Sequence, residues 1–332
     1  MKELAIIGAG GWGTALSIVL APRFRGVRLW VYEHDLAGRI RETRENDLFL
    51  PGYRLPATVR IVTGFAEALD GADVVLGAMP SHHARRIYGE MLPYLEPRMV
   101  LVSATKGLEN ETLLRMSEVI QDVVTTKFEP RVAVLSGPTF AREIARGEPA
   151  AVVIASADET AARSIQKAFS GPTFRLYTNS DTVGVEVGAA TKNVIAIGAG
   201  VCSGLGLGSN AIAALITRGL AEITRLAVAM GGKPMTLAGL AGLGDLVLTC
   251  TGELSRNRSA GLKLAAGQTL EEIVGGMRMV AEGIKTTRAA VDLARRHGID
   301  MPITQQVCRM LFEGKPAREA IRELMERSLK GE

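Results

Sequence analysis

The sequence predicts an α/β domain over residues 1–181 followed by an all-α domain over residues 182–332. Three observations predict it. The first part alternates short β-branched runs with helical segments; after Asp181 the apolar period becomes 3.6 and no strand-like run remains; and 332 residues that are 47% hydrophobic exceed what a single core usually holds.

The strands follow in order: "LAIIG" (4–8), "VRLWVY" (27–32), "VRIV" (59–62), "DVVLGA" (73–78), "MVLVS" (99–103), "RVAVLS" (131–136), "AVVIA" (151–155) and "FRLYT" (174–178). Nearly continuous apolar strands separated by helices indicate a parallel sheet covered on both faces. In the second part, segments 209–230 and 280–297 carry the helical period. Val194–Thr217 is uncharged and of membrane length, but five glycines and the "GLGLG" break divide it into pieces shorter than the ~20 residues of a spanning helix. It reads as buried helix, loop, buried helix.

Composition excludes several classes. The net charge of +4 contains no block of five or more Lys and Arg, so nothing marks a nucleic-acid footprint, whereas a small anionic substrate suits it. Cys202, Cys250 and Cys308 are widely spaced and form no CxxC pair, which argues against a disulfide framework or a zinc site and for a reducing cytoplasm. The opening "MKELAIIG" does not read as a signal peptide. No metal is expected.

"IIGAGGWGTALS" places Gly8, Gly10 and Gly13 in the G-x-G-x-x-G frame, after a strand and at the start of a helix, with Gly11 inside the same turn. That context makes the first domain Rossmann-like and dinucleotide-binding. Gly8 permits the tight turn, Gly10 admits a pyrophosphate against the backbone and Gly13 lets the helix pack closely. Glu33 stands twenty residues after Gly13 at the end of the second strand, where an acid accepts hydrogen bonds from a free 2′-hydroxyl. NAD is therefore expected to be used at least as well as NADP. Asp35 competes for that role, and a solvated turn glutamate is the plain alternative.

Ligands of an open parallel sheet bind beyond the carboxyl ends of its strands. That rule selects Pro80-Ser81-His82, Lys106 and Gly137-Pro138-Thr139, after the fourth, fifth and sixth strands. His82 and His83 read as solvated loop residues. In the second domain two charges stand alone: Lys192 is the only charged residue from Val187 to Thr217, and Asp245 the only one between Lys233 and Glu253. Two lone opposite charges in apolar segments suggest a pair, since an unpaired buried ammonium costs several kcal/mol. The alternatives are a snorkelling lysine and a helix-capping aspartate. Gly184, Gly188 and Ala189 precede Lys192 by one or two helical turns, a small-residue face expected to leave room for a flat ring beside the lysine stem. Ser255, Arg256 and Asn257 cluster three polar donors at a helix start, suited to a phosphate or to capping that helix.

The strings "GAGGWGTALS", "SATKGLE", "LSGPTFA", "KNVIAIGAG", "AGLGDLVLTC", "SRNR", "VAEG" and "MPIT" run in family order along essentially the whole chain. On them the sequence resembles the bacterial-type NAD(P)-dependent glycerol-3-phosphate dehydrogenases. The resemblance implies a cytoplasmic homodimer that interconverts sn-glycerol 3-phosphate and dihydroxyacetone phosphate and feeds phospholipid synthesis. It makes Lys192 the base, has Lys106 and Asp245 order the reacting end, and has Arg256 and Asn257 hold the phosphate, with Ser255, Gly137 and Thr139 completing the pocket. Gly11, Trp12, Lys106, Ala141, Arg256, Val280 and Glu282 match cofactor-contact positions. At Tyr32-Glu33 the chain departs from relatives that carry a basic residue there.

An unperturbed lysine titrates near ~10.4, so a lysine base must be tuned; burial and a cation such as Lys106 lower it, and Asp245 raises it. Two other readings fit parts of the pattern. One is a β-hydroxyacid or sugar-acid dehydrogenase in which the arginine meets a carboxylate; the other is a non-catalytic NAD sensor.

Overall fold

The computed structural model describes residues 1–277, 281–329 and 331. The chain divides into two compact units, residues 1–109 with 114–186, and residues 110–113 with 187–332.

The first unit contains β1 (Glu3–Ile7), β2 (Gly26–Trp30), β3 (Glu45–Asn46), β4 (Leu50–Arg54), β5 (Val59–Val62), β6 (Val74–Gly77), β7 (Val100–Ser103), β8 (Arg131–Ser136), β9 (Ala150–Ala155) and β10 (Phe174–Asn179). Eight of them form one sheet in the order β10-β9-β8-β7-β6-β1-β2-β5. Each apolar run of the sequence becomes one of these strands. Its helices are α1 (Gly11–Leu20), α2 (His34–Thr43), α3 (Phe65–Leu69), α4 (Ser81–Met91), α5 (Met116–Val124), α6 (Ala141–Arg146) and α7 (Glu159–Phe169).

Strand alternation separates two cores. Leu4 and Ile6 of β1 pack with Leu16, Ile40 and Ile165 on one face. Ala5 and Ile7 point the other way and pack with Ala68, Tyr88 and Val119. Strand order reverses at β1, which pairs in parallel with both β2 and β6. Such a reversal opens a crevice beyond the carboxyl ends of β1 and β6.

Two features differ from the sequence reading. The sheet is not wholly parallel, because β9 runs antiparallel to β8, with Val134 opposite Ala155. β8 ends at Ser136 and β9 begins at Ala150, and the one helix between them, α6, is about 9 Å long and does not run back along the roughly 20 Å of a six-residue strand as a crossover helix does. The second is the antiparallel β3–β4 pair, which packs on α1. A two-residue strand has no readable period, and Pro51-Gly52 reads as a turn.

α8 (Thr182–Gly204) leads into the second unit, its first five residues belonging with the first. There follow α9 (Ser209–Ala229), α10 (Pro234–Leu237), a π-helical turn at Leu240–Gly244, α11 (Asp245–Thr251), α12 (Arg256–Ala265), α13 (Leu270–Gly275), α14 (Glu282–Arg296), α15 (Pro302–Phe312) and α16 (Ala317–Met325). No strand occurs among the described residues after Asn179. Val194, Ile197 and Val201 of α8 pack with Ala260, Ile284, Val307 and Leu311.

The uncharged run is helix, loop, helix as expected, α8 ending at Gly204 and α9 starting at Ser209, but its second helix is not buried. α8 is a single 23-residue helix, long and apolar enough by length and composition to cross a membrane, and its apolar stretch is wholly buried inside the fold. Its glycines permit close packing instead of breaking the helix: a Cβ on Gly200 would lie 2.0 Å from the Arg258 carbonyl oxygen. α9 is not a buried helix but an amphipathic one, exposing Ala213, Ala214, Thr217 and Arg218.

Candidate active site

In the first unit, β1 ends at Ile7 and the chain turns at Gly8 with φ +112°, a conformation L side chains rarely adopt. A Cβ on Gly13 would lie 1.9 Å from the Gly8 carbonyl oxygen, so α1 can start this close to the strand only with glycine there. Beyond the Cα of Gly10 there is open space. Gly10 caps α1 without a side-chain hydrogen bond, leaving the helix start to offer N–H groups and its positive dipole end to an anion.

Around this turn stand the other predicted residues. Gly11 and Ala141 approach each other, a Cβ on Gly11 lying 3.8 Å from the Ala141 Cβ. Trp12 is half-buried, and its buried indole N–H has no partner among the described residues, whereas that of Trp30 donates to the Thr63 carbonyl at 2.8 Å. Glu33 lies beyond the end of β2 as the exposed N-cap residue of α2. The glycine frame, the uncapped helix start and an acid at the neighbouring strand end fit a dinucleotide. Gly8 to Gly13 would hold its pyrophosphate, and Glu33 its ribose.

Further along the same sheet edge, Lys106 follows β7 and its Nζ donates to the Gly137 carbonyl at 2.9 Å and to the Thr139 Oγ1 at 3.4 Å. Lys106, Gly137 and Thr139 are therefore brought together, as the strand-end rule expects. His82 and His83 are exposed and lie on the first turn of α4, not in a loop, with ring centroids 3.9 Å apart.

In the second unit, Lys192 of α8 is 4% exposed and Asp245 of α11 is fully buried. Lys192 Nζ donates to Asp245 Oδ1 at 2.5 Å and to Thr249 Oγ1 at 2.8 Å. The ammonium is tolerated inside the fold because this carboxylate neutralises it. Nearby, burial above all pushes the Cys250 thiol up to about 12, so it stays protonated.

The small-residue face before Lys192 is not open. A Cβ on Gly188 would lie 3.0 Å from both the Ala241 carbonyl oxygen and Leu237 Cδ1, so the protein's own segment 237–241 fills the space expected for a ring. That close packing is what delivers Asp245, at the end of the following π-helical turn, to Lys192.

Ser255 caps α12, its Oγ accepting from the Arg258 N–H at 3.2 Å. Arg256 is the exposed first residue of that helix. Asn257 is buried and joins three helices: its Nδ2 donates to Asn193 Oδ1 at 3.0 Å, and its Oδ1 accepts from the Gly283 N–H at 2.9 Å. Glu282 begins α14 beside Gly283, and Val280 lies outside the described residues. The sequence reading missed Thr249 and Asn193. Thr249 stands four residues after Asp245, one helical turn on the same face, which is the signal that would have found it.

The first unit is thus a Rossmann-like dinucleotide-binding domain, and the second holds a buried lysine suited to moving a proton: together, a two-domain nicotinamide-dependent oxidoreductase. Residues 3–162 match the family described as NAD-dependent glycerol-3-phosphate dehydrogenase N-terminus, and residues 181–322 match its C-terminus. The chain is 59% identical to glycerol-3-phosphate dehydrogenase [NAD(P)+] of Koribacter versatilis, over 98% of each chain. It is 54% identical to the Geobacter sp. enzyme of the same name, covering 100% of this chain and 99% of that one. A crystal structure of glycerol-3-phosphate dehydrogenase from Coxiella burnetii superposes with a TM-score of 0.94 at 40% identity, covering 98% and 99% of the two chains. The chain belongs to the NAD-dependent glycerol-3-phosphate dehydrogenase family.

Proposed function

We propose that this protein interconverts sn-glycerol 3-phosphate and dihydroxyacetone phosphate with NAD or NADP, supplying glycerol 3-phosphate for phospholipid synthesis in the cytoplasm as a homodimer. The observation that carries the reading is the buried Lys192–Asp245–Thr249 group, in a chain matched to the family along both halves.

A bound nicotinamide supplies the hydride chemistry at C2 of the substrate. Lys192, as a neutral amine, takes the hydroxyl proton during oxidation; as an ammonium it polarises and protonates the ketone during reduction. Asp245 and Thr249 fix the position of its Nζ, so the proton acceptor is ordered before substrate arrives. Lys106, held by Gly137 and Thr139, orders the reacting end of the substrate. Arg256 grips the phosphate through its planar fork, and Ser255 and Asn257 keep the start of α12 in place for it. Glu33 favours a free 2′-hydroxyl, so NAD is used at least as well as NADP.

NADH oxidation followed with dihydroxyacetone phosphate, beside unphosphorylated dihydroxyacetone and repeated with NADPH, tests the reading. Turnover confined to the phosphate ester supports it. Turnover of a β-keto acid instead would move the assignment to the hydroxyacid enzymes, and NADH binding without turnover of any ketone to a sensor. Sedimentation of the purified protein tests the dimer.

A further inference from the structure

Asn46, the second residue of β3, is fully buried, and a buried carboxamide needs partners for both its ends. The Phe49 N–H donates to its Oδ1 at 3.0 Å. On the other side its Nδ2 donates to the Ala9 carbonyl at 2.7 Å and to Thr14 Oγ1 at 2.8 Å. The partners fix which end is which, because an N–H can only donate and a carbonyl can only accept.

Ala9 lies between Gly8 and Gly10, and Thr14 follows Gly13. One side chain therefore bonds the glycine-rich turn near its entry and again at its exit. The turn's other ties are single hydrogen bonds: the Gly8 N–H donates to the Trp30 carbonyl at 3.3 Å, Thr14 Oγ1 to the Ala9 carbonyl at 3.5 Å and Ser17 Oγ to the Gly13 carbonyl at 2.8 Å, while α1 has no side-chain cap. Thr14, itself fully buried, returns its N–H to the Gly10 carbonyl at 3.0 Å. The same hairpin also lies against the turn, since the Phe49 carbonyl oxygen stands 2.9 Å from where a Cβ on Gly11 would point.

We infer that Asn46 is a positioning residue for the cofactor, holding the backbone from Ala9 to Thr14 in the shape that receives the pyrophosphate. The inference rests on the cofactor reading above. A turn already ordered loses less freedom on binding, and this raises affinity without adding a contact to the ligand.

The test measures NADH binding by calorimetry to the full-length wild type and to Asn46→Ala, Asn46→Asp and Thr14→Val. Asn46→Ala should weaken binding about tenfold or more. Asn46→Asp should weaken it further, because a carboxylate oxygen then opposes the Ala9 carbonyl and adds negative charge beneath the pyrophosphate. Thr14→Val removes one acceptor and should give a smaller loss in the same direction. The KM for NADH should rise far more than kcat at saturating NADH falls, with the KM for dihydroxyacetone phosphate near its wild-type value, a split that general loss of stability does not produce. Wild-type affinity in folded Asn46 variants overturns the inference while leaving the cofactor reading intact, and a wild type that does not bind NADH overturns both. If neither Asn46 variant folds, Thr14→Val decides by the same criterion.

Discussion

Lys192 and Asp245, fifty-three residues apart in the chain, meet at 2.5 Å with side chains 5% and 1% exposed. If Lys192 is the proton acceptor, Lys192→Ala should lower kcat roughly 10²–10⁴-fold. Steady-state NADH oxidation with dihydroxyacetone phosphate measures this, and a kcat within a few-fold of wild type would remove Lys192 from the mechanism. Asp245→Ala should in addition destabilise the fold by roughly 3–5 kcal/mol in urea unfolding, since it leaves a buried charge without its partner.

Arg256 stands exposed at the first turn of α12, next to the capping Ser255. Charge-assisted hydrogen bonds contribute about 1.5–3 kcal/mol each. Losing two of them in Arg256→Ala should cost roughly 3–6 kcal/mol in kcat/KM for the phosphate ester. Unphosphorylated dihydroxyacetone, with no phosphate to lose, should be far less affected. Equal losses on both substrates would argue against a phosphate grip.

Glu33 at the N-cap of α2 predicts coenzyme choice. Glu33→Arg should raise the NADPH-to-NADH ratio of kcat/KM by about tenfold or more, because it exchanges repulsion of a 2′-phosphate for attraction. An unchanged ratio would transfer the role to another residue, Asp35 being the nearest acid.

Glu222 of α9 predicts a pH dependence of stability. It is 2% exposed and accepts from the Ile303 N–H at 2.6 Å and the Thr304 N–H at 3.1 Å, at the start of α15. Burial outweighs these donors and raises its carboxyl from 4.5 to about 7. The folded protein thus holds this proton more tightly than the unfolded chain does. The stability that Glu222 contributes should therefore be fully present below about 4.5 and be lost as pH rises to about 7, roughly 3 kcal/mol in all, with no further change above. Unfolding by urea at pH 5 and pH 8 should show that fall in the wild type relative to Glu222→Gln. Parallel pH profiles of the two proteins would contradict it.

Much of this molecule is legible in its sequence. The eight principal strands, the change to helices after Asp181, the glycine frame at Gly8–Gly13 and the isolation of Lys192 and Asp245 are all features of composition and period within short windows. They are readable because alternation, helical period and the cost of a lone buried charge act locally along the chain.

Tertiary structure alone decided which distant groups complete one another. β9 runs antiparallel to β8 across a connection whose only helix is the short α6, and the β3–β4 pair is held against α1, α2 and α6. Segment 237–241 fills the face beside Gly188 that looked open, Thr249 joins Asp245 in holding Lys192, and the Asn257 amide is engaged by Asn193 and Gly283. Each of these is a hydrogen bond or a close contact between residues far apart in the chain. Its geometry is set by the packing of whole elements, to which no short window of sequence is sensitive.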